Sequence, residues 1–551
     1  MPKSKVKFLI PAVSAAIVAA GGVAAYFYFK APLGESPSPL SSAKLVPSEA
    51  VMAASISPDN LSKLEQFGTP EAQNIIEKGV EDFNQKMIGE SDINYEKDLK
   101  PWVGNVMIAF LPSSIVNSAP AAPQGGQEHN ILLVVGIKDK ISALNFVNKL
   151  KSEKGVKSQE SDYQGEKIAE FTTDRGTKSY STVLDDHLVI AFDRKAVAEA
   201  IDTFKGKPSF ASKESLNNSP KGVEVQNPLV QIYIPDSNIA VQQLSNNPNA
   251  SQLPPQTLTS LKQVKSVAAG IGVDDMGIRV KVIAKLDPQV IKAQYQPAPG
   301  AVEAQLPAET FALVTGQGIS RSWSALVERS KTEPELKQAI DQVKQRFQTV
   351  NIDLDQDIFS WMDGEFASAL VPTNQGTLAP LGFGATLIIH TSDRRTAEDT
   401  LKKLDTLAQS NSITVGKTNI QGKAVTEWQT PSQGALLGHG WLNQDSVFVA
   451  VGEQVINAIA TSPNPPLNNS DTFKAVIGSL PKPNGGYLYI DMEKTVSLVT
   501  HNLLQPQNIA IPPETSAFLN SIRSLGATAT SPDNSTSQVE LLLALKPKTT
   551  K

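Results

Sequence analysis

Two stretches of the chain decide its fold, and they are copies of one pattern. The first is ILLVVGIKDKISALNFVNKL at residues 131–150, and the second is ATLIIHTSDRRTAEDTLKKL at residues 385–404. Each begins with an apolar run typical of a buried strand and continues at helical spacing after an acidic residue, Asp139 or Asp393. The shared strand and helix predict that the chain contains a tandem duplication.

The match extends outward from this pair over most of the chain. Upstream, LVPSEAVMAASI at 45–56 resembles QLPAETFALVTG at 305–316, and DLKPWVGNVMIAFLP at 98–112 resembles DIFSWMDGEFASALVP at 357–372. The offset between the copies stays between 254 and 260 residues, so gaps are confined to loops. We predict two homologous units, residues 45–286 and 305–547, with a Pro-containing linker at 287–304 and a tail at 548–551.

Each unit is predicted to be α+β, a curved and mainly antiparallel sheet covered by helices. In the first unit, apolar or alternating runs predict strands at Val51–Ile56, Val103–Phe110, Ile131–Ile137, Ile168–Thr172, Ser179–Leu184, Leu188–Phe192, Leu229–Ile234, Val264–Val273 and Gly277–Leu286. Helical spacing predicts helices at Asn60–Phe67, Glu71–Met87, Ile141–Leu150, Lys195–Phe204 and Pro255–Gln263. The second unit gives the same order of elements.

Composition excludes several classes of protein. The chain has 551 residues, 40% of them hydrophobic and 19% charged, which suits globular units rather than a disordered chain. It has no cysteine, so disulfides and thiolate metal sites are excluded. Its net charge is −5, although residues 1–30 carry four lysines and no acid. An acidic body argues against binding to nucleic acid through its phosphates.

The N-terminus predicts a membrane anchor within residues 1–30. From Phe8 to Phe29 there is no charged residue, and 22 helical residues cross a bilayer core of about 30 Å. Three lysines before Phe8 predict a cytoplasmic N-terminus, with the body in the periplasm or thylakoid lumen. The alternative is a signal peptide cleaved near Val23-Ala24-Ala25. Residues 31–44 are predicted to form an extended Pro/Ser linker.

Two tryptophans occupy matching places in the two units. Trp102 follows Asp98 by four residues, and Trp361 follows Asp357 by the same spacing. Each precedes a strand, which favours burial between helix and sheet over stacking on a ligand. We interpret Trp102, Trp361, Asp98 and Asp357 as structural anchors.

A search for catalytic or ligand-binding motifs yields weak candidates. Asp353, Asp355 and Asp357 alternate like the start of a calcium loop, but the Gly and Glu that an EF-hand requires further on are missing. The cluster Asp185, Asp186 and His187 lies between two apolar runs and is more typical of a hairpin turn. We therefore predict no catalytic, cofactor-binding or metal-binding residue, and no cofactor.

The chain resembles a bacterial, largely cyanobacterial family catalogued as domain of unknown function 3352. The resemblance rests on the paired tryptophan motifs, the hairpin LDDHLVIA at 184–191 and the N-terminal anchor. It implies a membrane-anchored protein that faces the periplasm or thylakoid lumen. It implies no reaction and transfers no site residue.

Three functions follow as hypotheses. The leading one is a non-catalytic binding or scaffold module for a protein partner in the envelope or thylakoid. The first alternative is a carrier or sensor of an apolar ligand, a lipid or a pigment, which would need an apolar cavity. The second alternative is an enzyme of an unrecognised class, since active sites are assembled in three dimensions and can escape motif searches.

Overall fold

The architecture follows from ten mostly apolar or alternating strands in each half of the chain and from the helices that pack on them. We describe it from a computed structural model whose described residues are 38–68, 95–112, 131–151, 156–173, 178–213, 223–245, 263–286, 296–430 and 434–548. The predicted anchor between Phe8 and Phe29 and the predicted helix Glu71–Met87 lie outside these residues, as does most of Pro255–Gln263. Across the described ranges, no helix combines the length and the apolar character needed to cross a bilayer.

The chain forms two compact units, residues 1–290 with 548–551 and residues 291–547. The strands of the first unit are β1 Met52–Ile56, β2 Val103–Phe110, β3 Ile131–Ile137, β4 Val156–Tyr163, β5 Glu166–Thr173, β6 Lys178–Leu184, β7 His187–Ala191, β8 Pro228–Ile234, β9 Val264–Asp274 and β10 Gly277–Leu286. Its α-helices are α1 Pro39–Ala43, α2 Lys140–Lys151, α3 Arg194–Phe204 and α4 Ser237–Ser245.

The second unit repeats this order and adds helices. Its strands are β11 Ala312–Gln317, β12 Glu365–Pro372, β13 Phe383–His390, β14 Thr414–Ile420, β15 Lys423–Thr430, β16 Gly434–Trp441, β17 Ser446–Val451, β18 Tyr487–Asp491, β19 Ile522–Asp533 and β20 Thr536–Leu545. Its α-helices are α5 Ile319–Ser330, α6 Pro334–Gln348, α7 Arg394–Ser410, α8 Glu453–Ala460, α9 Asp471–Ile477, α10 Met492–Leu498 and α11 Pro513–Ser521.

The ten described strands of each unit are arranged in the same order. In the first unit the order is β4-β5-β6-β7-β3-β2-β1-β8-β9-β10, and each of these neighbouring pairs is antiparallel. In the second it is β14-β15-β16-β17-β13-β12-β11-β18-β19-β20, again antiparallel throughout. The α+β prediction with antiparallel sheets is confirmed.

Strand β7 is buried on both faces, which explains its continuous apolar sequence. Alternate residues of β7 separate into two cores: Val189 belongs to the one that contains Val197 and Ile201 of α3. Ile190 belongs to the other, with Trp102 and Phe146 of α2. A strand covered by helices on both sides has no polar face to present. The sheet of the first unit is therefore the middle of three layers at this point.

Three predicted segments differ from the structure. The end of the predicted extended linker is helical, because Ser38 caps α1 and Ala43 is buried in the first core. The predicted helix Asn60–Phe67 is a 3₁₀ helix at Pro58–Gln66, none of whose residues is buried. Strand β4 was not predicted, since its sequence VKSQESDY has no apolar alternation. It lies at the end of the sheet, paired only with β5 among the described strands.

Candidate functional site

The two predicted anchor tryptophans are core residues with the same hydrogen bond. Trp102 is 2% exposed and Trp361 is 3% exposed. The indole N–H of Trp102 donates to the backbone oxygen of Asp98 at 2.8 Å, and that of Trp361 donates to Asp357 at 3.0 Å. Both acceptors lie in a π-helical turn, Tyr95–Leu99 in one unit and Leu354–Phe359 in the other. These residues position the sheet and leave no face for a ligand.

The aspartates that resemble a calcium loop are occupied by protein donors. Asp353 caps the π-helical turn by accepting the backbone N–H groups of Asp355 and Gln356. Asp355 accepts the indole N–H of Trp323 at 2.6 Å and pairs with Lys344 at 2.6 Å. Asp357 pairs with Lys403 at 2.6 Å. Among the described residues, no group of three or more acids or histidines is placed to hold a metal ion.

Asp185, Asp186 and His187 lie at a hairpin turn between β6 and β7, where Asp185 has a positive φ of 51°. His187 Nδ1 lies 2.8 Å from Asp186, and its Nε2 lies 3.3 Å from the hydroxyl of Ser41 on α1. This is the order of a serine, histidine and acid triad. However, the backbone oxygen of Ser38 lies 2.7 Å from the same Ser41 hydroxyl and competes with His187 for its proton.

Burial also affects His187, which is 3% exposed. Desolvation lowers the pKa of the ring, and the nearby Asp186 opposes that effect without cancelling it. A cleft of about 250 Å³ in this unit is lined by Pro39, Asn60 and Asn105 among others, and its lining includes neither Ser41 nor His187. The arrangement provides a part-buried polar contact between α1 and the hairpin.

The other histidines do not converge. His439 on β16 contacts Asp405 of α7 at 2.8 Å, and Asp405 also accepts the indole N–H of Trp428 at 2.7 Å. His501 contacts the backbone oxygen of Ser497, and His390 lies 3.4 Å from Gln305. His129 is outside the described residues. Each of the three described contacts joins neighbouring elements of the second unit.

The least expected surface is a pair of antiparallel helices in the second unit, α5 and α6, which we call the helical hairpin. Gly318 begins it with a φ of 68°, and Pro334 occupies the first turn of α6, where its missing N–H costs nothing. Only Ser330 of α5 and Ile340 of α6 are buried. The remaining residues of both helices keep some exposure to solvent, so the hairpin is a surface element.

The hairpin exposes apolar side chains, which we call the hairpin face: Leu326, Val343, Phe347 and Val350. Their exposed fractions are 37%, 44%, 38% and 39%. On α6 and just beyond it, Leu336, Ile340, Val343, Phe347 and Val350 follow the 4-3-4-3 spacing of a helix that pairs with another helix. Ile340 of this stripe is buried within the unit, whereas Val343 and Phe347 remain exposed to solvent.

A cleft of about 440 Å³ adjoins the hairpin between α5 and the π-helical turn. Trp323 stacks on Phe359 there, with ring centroids 4.3 Å apart, and Lys344 lies over the outer face of the indole at 5.8 Å. Partial burial opposes ionisation of Asp355, but hydrogen bonds from Lys344 and Trp323 outweigh it and lower the pKa of that carboxyl. This network holds α6 against α5 and leaves the cleft open to solvent.

Sequence reasoning missed the hairpin face, although a signal was present. The second unit was treated as a copy of the first, whose matching residues 59–90 lie largely outside the described part of the chain. The apolar stripe from Leu336 to Val350 is visible in the sequence, and it is longer than the one buried residue of α6 requires. Trp323 has Lys63 at the matching position, so the stack on Phe359 belongs to the second unit alone.

Similarity to known proteins is low outside one family. Crystal form III of TP0453 matches with 12% identity and a TM-score of 0.26, over 46% of this chain and 82% of that chain. Crystal form I of TP0453 matches with 12% identity and a TM-score of 0.27, over 46% and 81%. TM-scores of this size carry no argument about fold or function. None of the curated proteins matches this chain. A model of the family described as "Protein of unknown function (DUF3352)" matches residues 12–545, and the chain therefore belongs to that family.

Proposed function

We propose that this protein is a non-catalytic binding module, anchored by residues 8–29 in a membrane with its body in the periplasm or thylakoid lumen. The hairpin face carries the proposal. Four exposed apolar side chains on two packed helices leave apolar surface in water that burial in a complex would remove, at roughly 25 cal/mol per Å². A partner that covers them would be stabilised by that burial.

The occupant that fits this surface is an amphipathic helix of a second protein in the same compartment. The 4-3-4-3 spacing on α6 matches the seam that one helix offers another. Its exposed positions beside Val343 and Phe347 include Arg346, and residues 319–350 carry six basic and four acidic side chains in a chain whose net charge is −5. Acidic flanks on the partner helix complement this local charge.

A second copy of this chain fits less well. Pairing two hairpin faces would bring the Arg346 side chains of the two copies toward each other, which costs free energy at close range. The carrier hypothesis is less favoured, because the clefts described above, of about 250 and 440 Å³, are open to solvent rather than enclosed by apolar walls.

The test uses the full-length protein in its native membrane with a photocrosslinking phenylalanine at Val343. The matched control places the same residue at Gln345, which is also exposed and lies about 200° around the helix. We expect protein adducts from position 343 and few from position 345. Mass spectrometry of the adduct should identify an amphipathic segment with acidic flanks.

Charge variants then separate this partner from other occupants. Arg346→Glu should reduce the adduct from position 343 severalfold, whereas Arg346→Lys should preserve it. Equal labelling from positions 343 and 345 would contradict the proposal. Adducts with lipid alone would assign the hairpin face to the membrane surface, and adducts with this same chain would assign it to self-association; either result replaces the proposed partner.

A further inference from the structure

Two carboxyl groups are buried together where the chain enters the second unit. Glu303 is 7% exposed and lies in a 3₁₀ helix, Val302–Gln305. Glu365, at the start of β12, is 2% exposed. The segment that carries Glu303, residues 296–306, is called the strap here. Its Val302 and Leu306 are fully buried, so the strap packs into the second unit. Most of the strap falls within the linker predicted at 287–304.

Both carboxyl groups converge on Gly300. Glu365 accepts the backbone N–H of Gly300 at 2.6 Å and that of Ala301 at 3.0 Å, one on each oxygen. Gly300 has a φ of 77°, and a β-carbon placed on it would lie 3.2 Å from the nearer oxygen of Glu303. The ionised form of Glu365 is thus satisfied by two donors. In contrast, Oε2 of Glu303 is buried and has no hydrogen-bond partner.

The first unit shows what the fold requires at these positions. The offset of 260 residues that pairs Pro47 with Pro307 places Ala43, 4% exposed, where Glu303 lies. The register of β1 with β2 and of β11 with β12 places Asn105 where Glu365 lies. Two neutral residues therefore serve the same fold, and the pair of acids is a feature of the second unit.

We propose that Glu303 and Glu365 form a proton-operated latch that holds the strap closed when Glu303 is protonated and weakens it when Glu303 ionises. A buried carboxylate oxygen without a donor, beside a second carboxylate, is costly when charged and inexpensive as the neutral acid. The strap is also held by backbone bonds, because Ala298 donates to the backbone oxygen of Asn484 at 2.8 Å and Leu306 accepts from Leu467 at 2.8 Å. At its start, Arg321 donates to the side-chain oxygen of Gln296 at 2.7 Å.

The surroundings of Glu303 determine the direction in which its pKa is shifted. Burial is the main cause that raises the pKa of Glu303 to about 7 from its ordinary 4.5, and the charge of Glu365 adds to it. A hydrogen bond from the backbone of Glu303 itself and, to a smaller extent, the charge of Lys482 oppose this shift. His390 reaches the strap only through Gln305, at 3.4 Å. An acid whose pKa is raised by folding stabilises the closed state fully below its unfolded pKa and loses that contribution as pH rises through the folded value. The closed-to-open ratio should fall about 70-fold between pH 5 and pH 8.

The test is hydrogen exchange of the full chain at pH 5, 6, 7 and 8, with rates corrected for the intrinsic effect of pH. Protection of residues 296–306 in the wild type should fall about 70-fold over this range if the strap opens locally. Glu303→Gln should remove most of this dependence and stay close to the wild-type protection at pH 5. Peptides from α8, whose Val455 and Ile456 are fully buried, report any global change.

A second variant controls for the case in which Glu303→Gln misfolds. Glu303→Ala installs the residue that the first unit carries, so its side chain should fit, and it too should lose the pH dependence. A strap whose protection changes equally with pH in the wild type and in both variants would overturn the latch. The proposal is independent of the partner of the hairpin face, and its test does not involve that partner.

Discussion

Trp361 donates its indole N–H to the backbone oxygen of Asp357, four residues earlier, at 3.0 Å. The side chain of Asp357 meanwhile pairs with Lys403 on α7, and Thr400 donates its hydroxyl to the same Asp357 backbone oxygen. One short turn therefore ties the tryptophan of the core to a surface helix. The bond from Trp102 to Asp98 repeats the first of these contacts in the other unit.

The burial of Trp361 predicts that truncating this side chain destabilises the protein strongly. Trp361→Ala should lower the free energy of unfolding by about 3–5 kcal/mol, because it leaves a cavity and removes the indole donor. Trp323→Ala is the matched control, since that ring is partly exposed, and it should cost about 1–2 kcal/mol through loss of the stack on Phe359. Urea denaturation followed by circular dichroism measures both values. Equal losses would mean that Trp361 is not the core anchor.

The pair formed by Asp357 and Lys403 predicts a dependence on acid. The hydrogen bond from Lys403 is the main cause of a lowered pKa for Asp357, against partial burial. A lowered pKa contributes stability above the unfolded value near 3.9 and loses it as pH falls through the folded value. Asp357→Asn should therefore cost about 1 kcal/mol at pH 7 and much less at pH 3.

The matched control for that measurement is Asp399→Asn. Asp399 is an exposed residue of α7 whose oxygen lies 3.8 Å from Lys402. It should change stability little at either pH. A cost for Asp357→Asn that is the same at pH 7 and pH 3 would remove the ionised carboxylate from the explanation and leave only the hydrogen bonds of the neutral group.

Added calcium should not stabilise the protein. Asp353, Asp355 and Asp357 already accept backbone N–H groups, an indole N–H and two lysines, so a cation would have to displace these donors. Thermal unfolding in 5 mM Ca²⁺, with Mg²⁺ at the same concentration as control, should give the same Tm within about 1 °C. A rise specific to Ca²⁺ that disappears in Asp355→Asn would revive the calcium hypothesis.

Truncation of Ile340 and of Val343, two residues of α6, should have very different effects on stability. Ile340 is 6% exposed, and Ile340→Ala should cost about 2–4 kcal/mol. Val343 is 44% exposed, and Val343→Ala should change stability by less than about 0.5 kcal/mol. Chemical denaturation of both variants measures the difference. A large cost for Val343→Ala would show that this side chain is packed in solution and would weaken the proposed docking surface.

Much of the fold could be predicted because burial leaves a pattern in the sequence. The predicted bounds of β2, β3 and β10 agree with the structure, since both faces or alternate residues of these strands are apolar. The duplication was predicted from register alone, and the strands of both units are arranged in the same order. Strand β4 was missed because its polar residues are held by pairing with β5 and by the turn at Gln164, where φ is 51°.

The proposed sites were harder to predict. Asp353 and Asp355 were weak candidates for a calcium loop, and the sequence does not reveal that Lys344 of α6 and Trp323 of α5 both contact Asp355. Glu303 looked like an ordinary residue of a linker, since burial of one acid has no periodicity. The hairpin face did leave a pattern, but a helical stripe does not say which of its residues another element will cover.

The sequence by itself determined the two units, the antiparallel α+β class and the tryptophans as core residues. The membrane anchor between Phe8 and Phe29 stays a prediction. Each of these depends on the order of apolar and polar residues along the chain, which burial imposes locally. Only the tertiary structure decided that Glu303 lies beside Glu365, and that Val343 is exposed while Ile340 is buried. These properties depend on which distant segments meet, and the free energy of a charge or an apolar side chain is set by those neighbours.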